Sequence, residues 1–255
     1  MIANMLPIFK SHYSIGKSIL TLDYNKTSID ESADSIFALV NENKIKNLIL
    51  VEDSLTGFLQ AMKGCKKFGV NLIFGLRMSV CNDVSEENPA TSTHKVIIFP
   101  KNKNGCIILN KLYTLAKTKN NGFLDFKIIN EVWDKDSLKM SIPFYDSFVF
   151  NNALKFSNCI PDFSNISPDF FIEENGLPFD SIVKGNVLSF CDDGGFNIFN
   201  SKSIYYNKRE DFDAYTTYKC ICNRKYFLSS LDKPNFDHLG SREFSLQSWR
   251  EGELV

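Results

Sequence analysis

Hydrophobic positions along the chain gather into short continuous runs, separated by stretches in which apolar and polar residues alternate with helical spacing. Leu6 to Ser11 predicts a first short strand. Leu48-Ile49-Leu50-Val51 is an unbroken apolar run, the pattern of a strand covered on both faces as in parallel sheets. Val70 to Phe74, Lys95 to Phe99, Lys139 to Ile142, Ser147 to Phe150, Phe170 to Ile172, Val187 to Phe190 and Ile198-Phe199 repeat that signal. Between them, Ile29 to Asn43 reads as an amphipathic helix opened by the capping-box pattern Ser28-x-x-Glu31. Phe58 to Phe68 predicts a second helix, with Lys66 and Lys67 in its last turn and Gly69 as its C-terminal cap. A polar loop covers Glu86 to Thr93, Asn104-Gly105 reads as a turn, and Cys106 to Lys117 as a third helix. The segment Cys191-Asp192-Asp193-Gly194-Gly195 reads as a loop whose acidic pair are turn residues. Strands that alternate with helices, rather than clustering, predict an α/β protein with a parallel sheet.

Composition narrows this picture. A chain of 255 residues that is 44% hydrophobic fills one good-sized core, so residues 1–255 are expected to form a single domain. A formal net charge of -1 provides no global basic field of the kind that drives non-specific nucleic-acid binding, and leaves only a local patch to do so. Seven cysteines at 65, 81, 106, 159, 191, 220 and 222 are odd in number and show no framework spacing, which predicts reduced thiols in a cytosolic compartment. Cys220-x-Cys222 lacks the second pair that zinc needs, with His238 the one histidine nearby, and reads as small apolar residues. Met1 to Lys10 has no signal-peptide pattern, and no apolar stretch approaches the ~20 residues of a membrane span. Prominent Asn, Lys, Phe, Ser and Ile fit an AT-rich genome, and with the short chain point to a bacteriophage or related element.

No strong catalytic motif stands out. The chain has no Gly-rich phosphate loop, no nucleophile elbow and no zinc-protease helix. Its three histidines, His12, His94 and His238, lie far apart in sequence. Function must therefore be argued from sites, not from fold class.

Several segments follow, in one consistent order, the motifs of one known domain family. Lys10-Ser11-His12-Tyr13-Ser14 is similar to the end of that family's His-x-His-Ser-x-Tyr-Ser opening. Leu50-Val51-Glu52, with Ser54 and Gly57, stands where the family has Thr-Asp-His and a following glycine. Gly69-Val70-Asn71-Leu72-Ile73-Phe74-Gly75-Leu76-Arg77 resembles its Gly-Ile-Lys-Pro-Ile-Ile-Gly-Cys-Glu. Asn104-Gly105 with Leu109, Leu112 and Tyr113 resembles its Asn-x-x-Gly-Tyr-x-Asn-Leu-x-x-Leu. Glu174-Asn175-Gly176-Leu177-Pro178 resembles its Asp-His-Gly-Leu-Pro. Ile204-Tyr205-Tyr206, with Glu210-Asp211 and Asp213-Ala214, is similar to its Asn-Asp-Val-His-Tyr and Glu-Asp-Ala-Asp-Ala-His. Arg242 to Ser248 looks like the end of the same domain. The family that these segments resemble is the PHP domain at the N-terminus of the bacterial DNA polymerase III alpha subunit; the resemblance covers nearly the whole chain and implies a distorted (β/α)7 barrel, similar to a TIM barrel.

Departures from the family pattern carry as much information. In active members, histidines and carboxylates at the C-terminal strand ends hold divalent ions that activate water for phosphoester hydrolysis. Mapped without gaps, those ligand positions fall here on Ile8, Lys10, Val51, Glu52, Arg77, Ser203 and Tyr205. Lys and Arg offer donors and positive charge and repel cations. Only Glu52 keeps ligand chemistry, and a one-residue slip would bring Asp53 into play instead. The resemblance thus implies a pseudoenzyme with no metal and no catalytic residue. One expectation is that Lys10 and Arg77 replace the metal charge and pair with Glu52 or Asp53. Another is that Lys10, Arg77 and Lys202 converge on an anion, a phosphate or a nucleic-acid backbone; a third leaves them as solvated rim charges. His12 is expected to be a hydrogen-bonded residue rather than a ligand. Trp249 either packs on its own domain or anchors a partner, and the 23 phenylalanines fill the core and interfaces.

Two functional classes follow. The first is a stand-alone, non-catalytic accessory module of DNA replication that binds or mimics a polymerase or exonuclease subunit, with DNA a further partner and no membrane contact. The second is a divergent Mn- or Zn-dependent phosphoesterase or 3′–5′ exonuclease built on Glu52, Asp53, Asp192 and Asp193. Either would work in the cytoplasm of a bacterial or phage-infected cell.

Overall fold

The computed structural model describes residues 5–23, 33–222 and 240–253. Its strands are β1 (Leu6–Phe9), β2 (Asn47–Glu52), β3 (Asn71–Cys81), β4 (His94–Pro100), β5 (Phe123–Asp125), β6 (Leu138–Ile142), β7 (Asp169–Ile172) and β8 (Asn197–Ile204). Its helices are α1 (Ile36–Glu42), α2 (Phe58–Phe68), α3 (Lys103–Thr118), α4 (Phe126–Val132), α5 (Phe148–Leu154), α6 (Asp180–Gly194), α7 (Phe212–Cys222) and α8 (Leu246–Glu253). The α/β class expected from the sequence is present. The chain forms two compact units, one from Met1–Phe74, Glu173–Asp180 and Asn200–Val255, the other from Gly75–Ile172 and Ser181–Phe199.

In the first unit, β1 lies between two parallel neighbours. Ile8 pairs with Ile49 of β2 and with Ser203 of β8. The apolar run at 48–51 is buried, as its composition requires, and its Leu48 and Leu50 join Phe9, Ile36, Phe37, Val40 and Leu246 in one core. Helix α2 spans the residues that its pattern predicts, and Gly69 ends it at φ 67°, a left-handed conformation that glycine adopts without a Cβ clash. Trp249 packs on this same core and donates from its indole nitrogen to the Met5 carbonyl at 2.8 Å. The tryptophan is thus an intramolecular anchor.

In the second unit the pairing is mixed, contrary to the parallel sheet that the sequence predicts. β3 runs antiparallel to β4, and β4 antiparallel to β6; β3–β5 and β6–β7 are parallel. The reason lies in the connection between β3 and β4, which carries a single 3-10 turn at Pro89–Ser92 and no crossover helix. Parallel neighbours need a crossover of roughly a dozen residues, usually helical. The unit's core is aromatic: Phe148, Phe163, Phe170, Phe190 and Phe196 pack largely edge to face, with Phe148 and Phe190 centroids 5.0 Å apart.

Five local readings are corrected. Ser147 to Phe150 is the start of α5, not a strand: the Ser147 hydroxyl accepts from the Phe150 N–H and caps the helix. Val187 to Phe190 belongs to α6, whose Val183, Val187 and Cys191 are buried at four-residue spacing. The 191–195 loop is the end of that same helix through Gly194, with Gly195 turning the chain at φ 66°. Asn104-Gly105 lies in the first turn of α3 instead of a free turn, because the Asn102 side chain caps that helix by accepting from the Gly105 N–H. Helix α1 starts at Ile36, not Ile29, and the Ser28–Glu31 capping box falls outside the described residues, as does His238. All of the cysteines are free thiols; Cys65, Cys81, Cys159 and Cys191 are buried, and Cys220 and Cys222 half-exposed. Among the described residues, no helix is long and apolar enough to cross a membrane.

Candidate functional site at the strand ends of the first unit

Because β2, β1 and β8 run parallel, their C-terminal ends fall together, and six of the seven residues that the resemblance maps onto ligand positions lie on or just beyond these strands. Ile8 and Val51 are buried apolar residues of the strand interiors and provide no ligand atom. Lys10 follows β1 directly. It is almost fully buried, and its Nζ lies 3.0 Å from an Asp53 carboxylate oxygen. Glu52 ends β2 and is completely buried. One of its oxygens accepts from the Ser11 N–H at 2.9 Å, the other from the Ser14 hydroxyl at 2.5 Å. That hydroxyl in turn accepts from the Asp53 N–H at 2.9 Å. Burial pushes the Glu52 carboxyl above its ordinary value, opposed by the hydrogen bonds from Ser11 and Ser14 and by the Lys10 charge.

A second buried carboxylate, absent from the sequence reading, belongs to the same unit. Glu173 follows β7 and accepts three hydrogen bonds: from the Ser203 N–H at 3.0 Å, the Ser203 hydroxyl at 2.7 Å and the Asn175 amide at 3.0 Å. Burial raises its carboxyl too. The neighbouring Lys202 is buried and donates to the Glu174 carbonyl at 2.8 Å; burial lowers its ammonium, against the pull of Glu173 and Glu243. Tyr205 stacks on Phe244 with centroids 5.4 Å apart. The backbone N–H of His12 donates to the Leu20 carbonyl, and its ring lies on Tyr13.

The remaining residues singled out in the sequence belong to the second unit. Arg77, on β3, pairs with Asp146 at 3.0 Å. Asp192 and Asp193 are exposed in the last turn of α6, where Asp192 borders an open hollow of about 500 Å³ together with Ser189 and Phe196.

The three carboxylates at these strand ends, Glu52, Asp53 and Glu173, each have partners within the chain. Both Glu52 oxygens are engaged by donors of the chain itself, Asp53 holds an ammonium, and Glu173 carries three hydrogen bonds. Among the described residues, no group of three or more His, Cys, Asp or Glu is arranged to hold a metal ion. What the arrangement does chemically is to neutralise and satisfy its own buried charges. No family model and no curated protein matches the chain.

Proposed function

We propose that the chain is a non-catalytic, PHP-like module that acts in DNA replication by binding, or standing in for, a component of a replicative polymerase or its proofreading exonuclease. The observation that supports the non-catalytic part is the Lys10–Asp53 ion pair beside a Glu52 whose two oxygens are already hydrogen-bonded. A positive group and serine donors there take the role that ligands and ions play in the family that the sequence resembles. The resemblance alone motivates the replication part, and the cytoplasmic setting goes with it.

The distorted (β/α)7 barrel belongs to the same proposal. Support for it comes from the parallel β2–β1–β8 arrangement with carboxylates at the strand ends. The antiparallel pairs of the second unit require that any such barrel be of mixed type.

The test uses the purified chain with end-labelled single-stranded DNA and Mn²⁺ or Zn²⁺, and in parallel with a purified replicative polymerase alpha subunit and its exonuclease subunit. The expected result is stable association with one of the two proteins and no nucleotide release. Metal-dependent 3′–5′ degradation that disappears in Glu52→Gln would instead establish the phosphoesterase reading.

A further inference from the structure

Helix α2 presents a solvent face that combines large apolar side chains with lysines. Its buried side is Ala61, Gly64 and Cys65, so the opposite side is read at 59, 62, 63, 66 and 67. These positions are Leu59, Met62, Lys63, Lys66 and Lys67, all exposed; Leu59 is 60% accessible and Met62 45%. The helix contains no acidic residue. Lys67 reaches over the Phe68 ring at 5.8 Å.

The charge continues beyond the helix. Just after its Gly69 cap, the Asn71 N–H donates to the Lys46 carbonyl at 2.9 Å, and the Asn71 side chain donates to that of Asn47 at 3.1 Å. These bonds fix the turn that follows α2 beside the turn that precedes β2. That second turn carries exposed Lys44 and Lys46. Lys44, Lys46, Lys66 and Lys67 therefore lie toward one end of the unit, with Lys63 one turn back along the helix and exposed Glu42 at the end of α1, in a chain whose net charge is only -1. They stand at the N-terminal ends of β2 and β3, opposite the end that carries Glu52 and Asp53.

Lysines in the last turn of a helix also complement its dipole, which accounts for Lys66 and Lys67. It does not account for Lys63, for the paired turn lysines, or for two large apolar side chains placed on the same stripe one turn before the charges. We infer that this face is a docking surface for an acidic protein segment that carries apolar anchors. Leu59 and Met62 form its centre and the lysines its rim. Interface centres are depleted in lysine and enriched in methionine, whereas rim charges steer association and set register. Met62 suits such a centre because its unbranched thioether adapts to the shape of a partner. A nucleic-acid backbone would use the lysines but has no need of the two apolar positions, and the stripe offers no exposed aromatic ring on which bases could stack. The inference goes beyond the proposed function and does not depend on the state of the strand-end carboxylates.

The experiment measures fluorescence anisotropy of two labelled probes against the full chain: a synthetic helical peptide with leucines at i, i+3 and i+7 flanked by glutamates, and an oligothymidylate. The peptide is expected to bind, and to bind at least tenfold more weakly as salt rises from low to physiological ionic strength. The double substitution Lys63→Glu/Lys66→Glu is expected to weaken binding at least tenfold, and Leu59→Ser/Met62→Ser several-fold. The side chains are exposed, so melting temperatures of the variants should stay near that of the parent. Unchanged peptide affinity in the lysine variant overturns the inference, as does absence of peptide binding. So does oligothymidylate binding that is tighter than the peptide and indifferent to Leu59→Ser/Met62→Ser, which would make the face a nucleic-acid surface.

Discussion

Ser203 gives Glu173 two of its three hydrogen bonds, from the backbone N–H at 3.0 Å and the hydroxyl at 2.7 Å, so that one residue of β8 serves a carboxylate just beyond β7. Ser203 stands at a position where the resembled family places a metal ligand, and here it serves a buried acid instead. Ser203→Ala removes the hydroxyl donor from a carboxylate that water does not reach. The expected loss is about 1–3 kcal/mol, read from urea denaturation at neutral pH.

The same acid gives the protein a signed pH dependence. Burial raises the Glu173 carboxyl above its ordinary value of 4.5, so the folded state holds that proton more tightly than the unfolded chain. Its contribution to stability is therefore complete below the unfolded value and is lost as pH climbs through the raised one. Glu173→Gln should flatten the decline of the urea midpoint above pH 4.5 relative to the parent. An unchanged slope would contradict this assignment.

His94 acts with the opposite sense. It is buried on β4 against Phe126 and Phe148, with centroids 6.0 Å from each, and burial lowers its imidazole to about 4 from 6.5. The unfolded chain takes up the proton first, so stability present above pH 6.5 falls as pH drops toward 4. The full effect is on the order of 3 kcal/mol. In His94→Phe this acid-side decline should shrink, as measured by thermal melts from pH 7 to pH 4.

Gly105 tests the packing of α3. A Cβ there would collide with the Ser137 carbonyl oxygen, which belongs to the backbone and cannot rotate away. Alanine gains up to ~1 kcal/mol in intrinsic helix propensity over glycine. The collision should outweigh this and leave Gly105→Ala less stable by about 1–3 kcal/mol, measured by chemical denaturation.

Lys10 and Asp53 form an ion pair at the strand ends in which one partner is nearly buried, with side-chain exposures of 6% and 33%. Removing one member of a fully buried pair costs roughly 3–5 kcal/mol. The partial exposure of Asp53 places Lys10→Met nearer 2 kcal/mol, on the order of half that loss. Lys10→Met/Asp53→Asn should recover part of it in a double-mutant cycle of urea midpoints.

Much of this was legible in the sequence, and what was not has physical causes. The unbroken run before Glu52 and the Gly69 cap defined β2 and α2 because burial on two faces and a left-handed cap leave strong local marks. Ser147 to Phe150 and Val187 to Phe190 misled because a four-residue apolar run has no period of its own, and a serine cap or a longer stripe decides it. The antiparallel turn between β3 and β4 depends on what the connection lacks, which composition does not show. At the site, Lys10 beside Asp53 followed from charge logic, whereas Arg77 pairs with Asp146, far away in sequence. Glu173 was missed although it repeats the Glu52 pattern, an acid directly after an apolar strand run; that repetition was the available signal. The roles of Ser11, Ser14 and Ser203 as donors emerge only once β1, β2 and β8 are side by side.

The most direct test of self-neutralised strand ends is a Mn²⁺ titration of the full chain, counting bound ions by loss of the free-ion paramagnetic resonance signal. The expected result is a binding curve that Glu52→Gln and Asp53→Asn leave unchanged, because Lys10 and the serine donors already occupy those carboxylates. Two or more ions per chain, lost in those same variants, would contradict it.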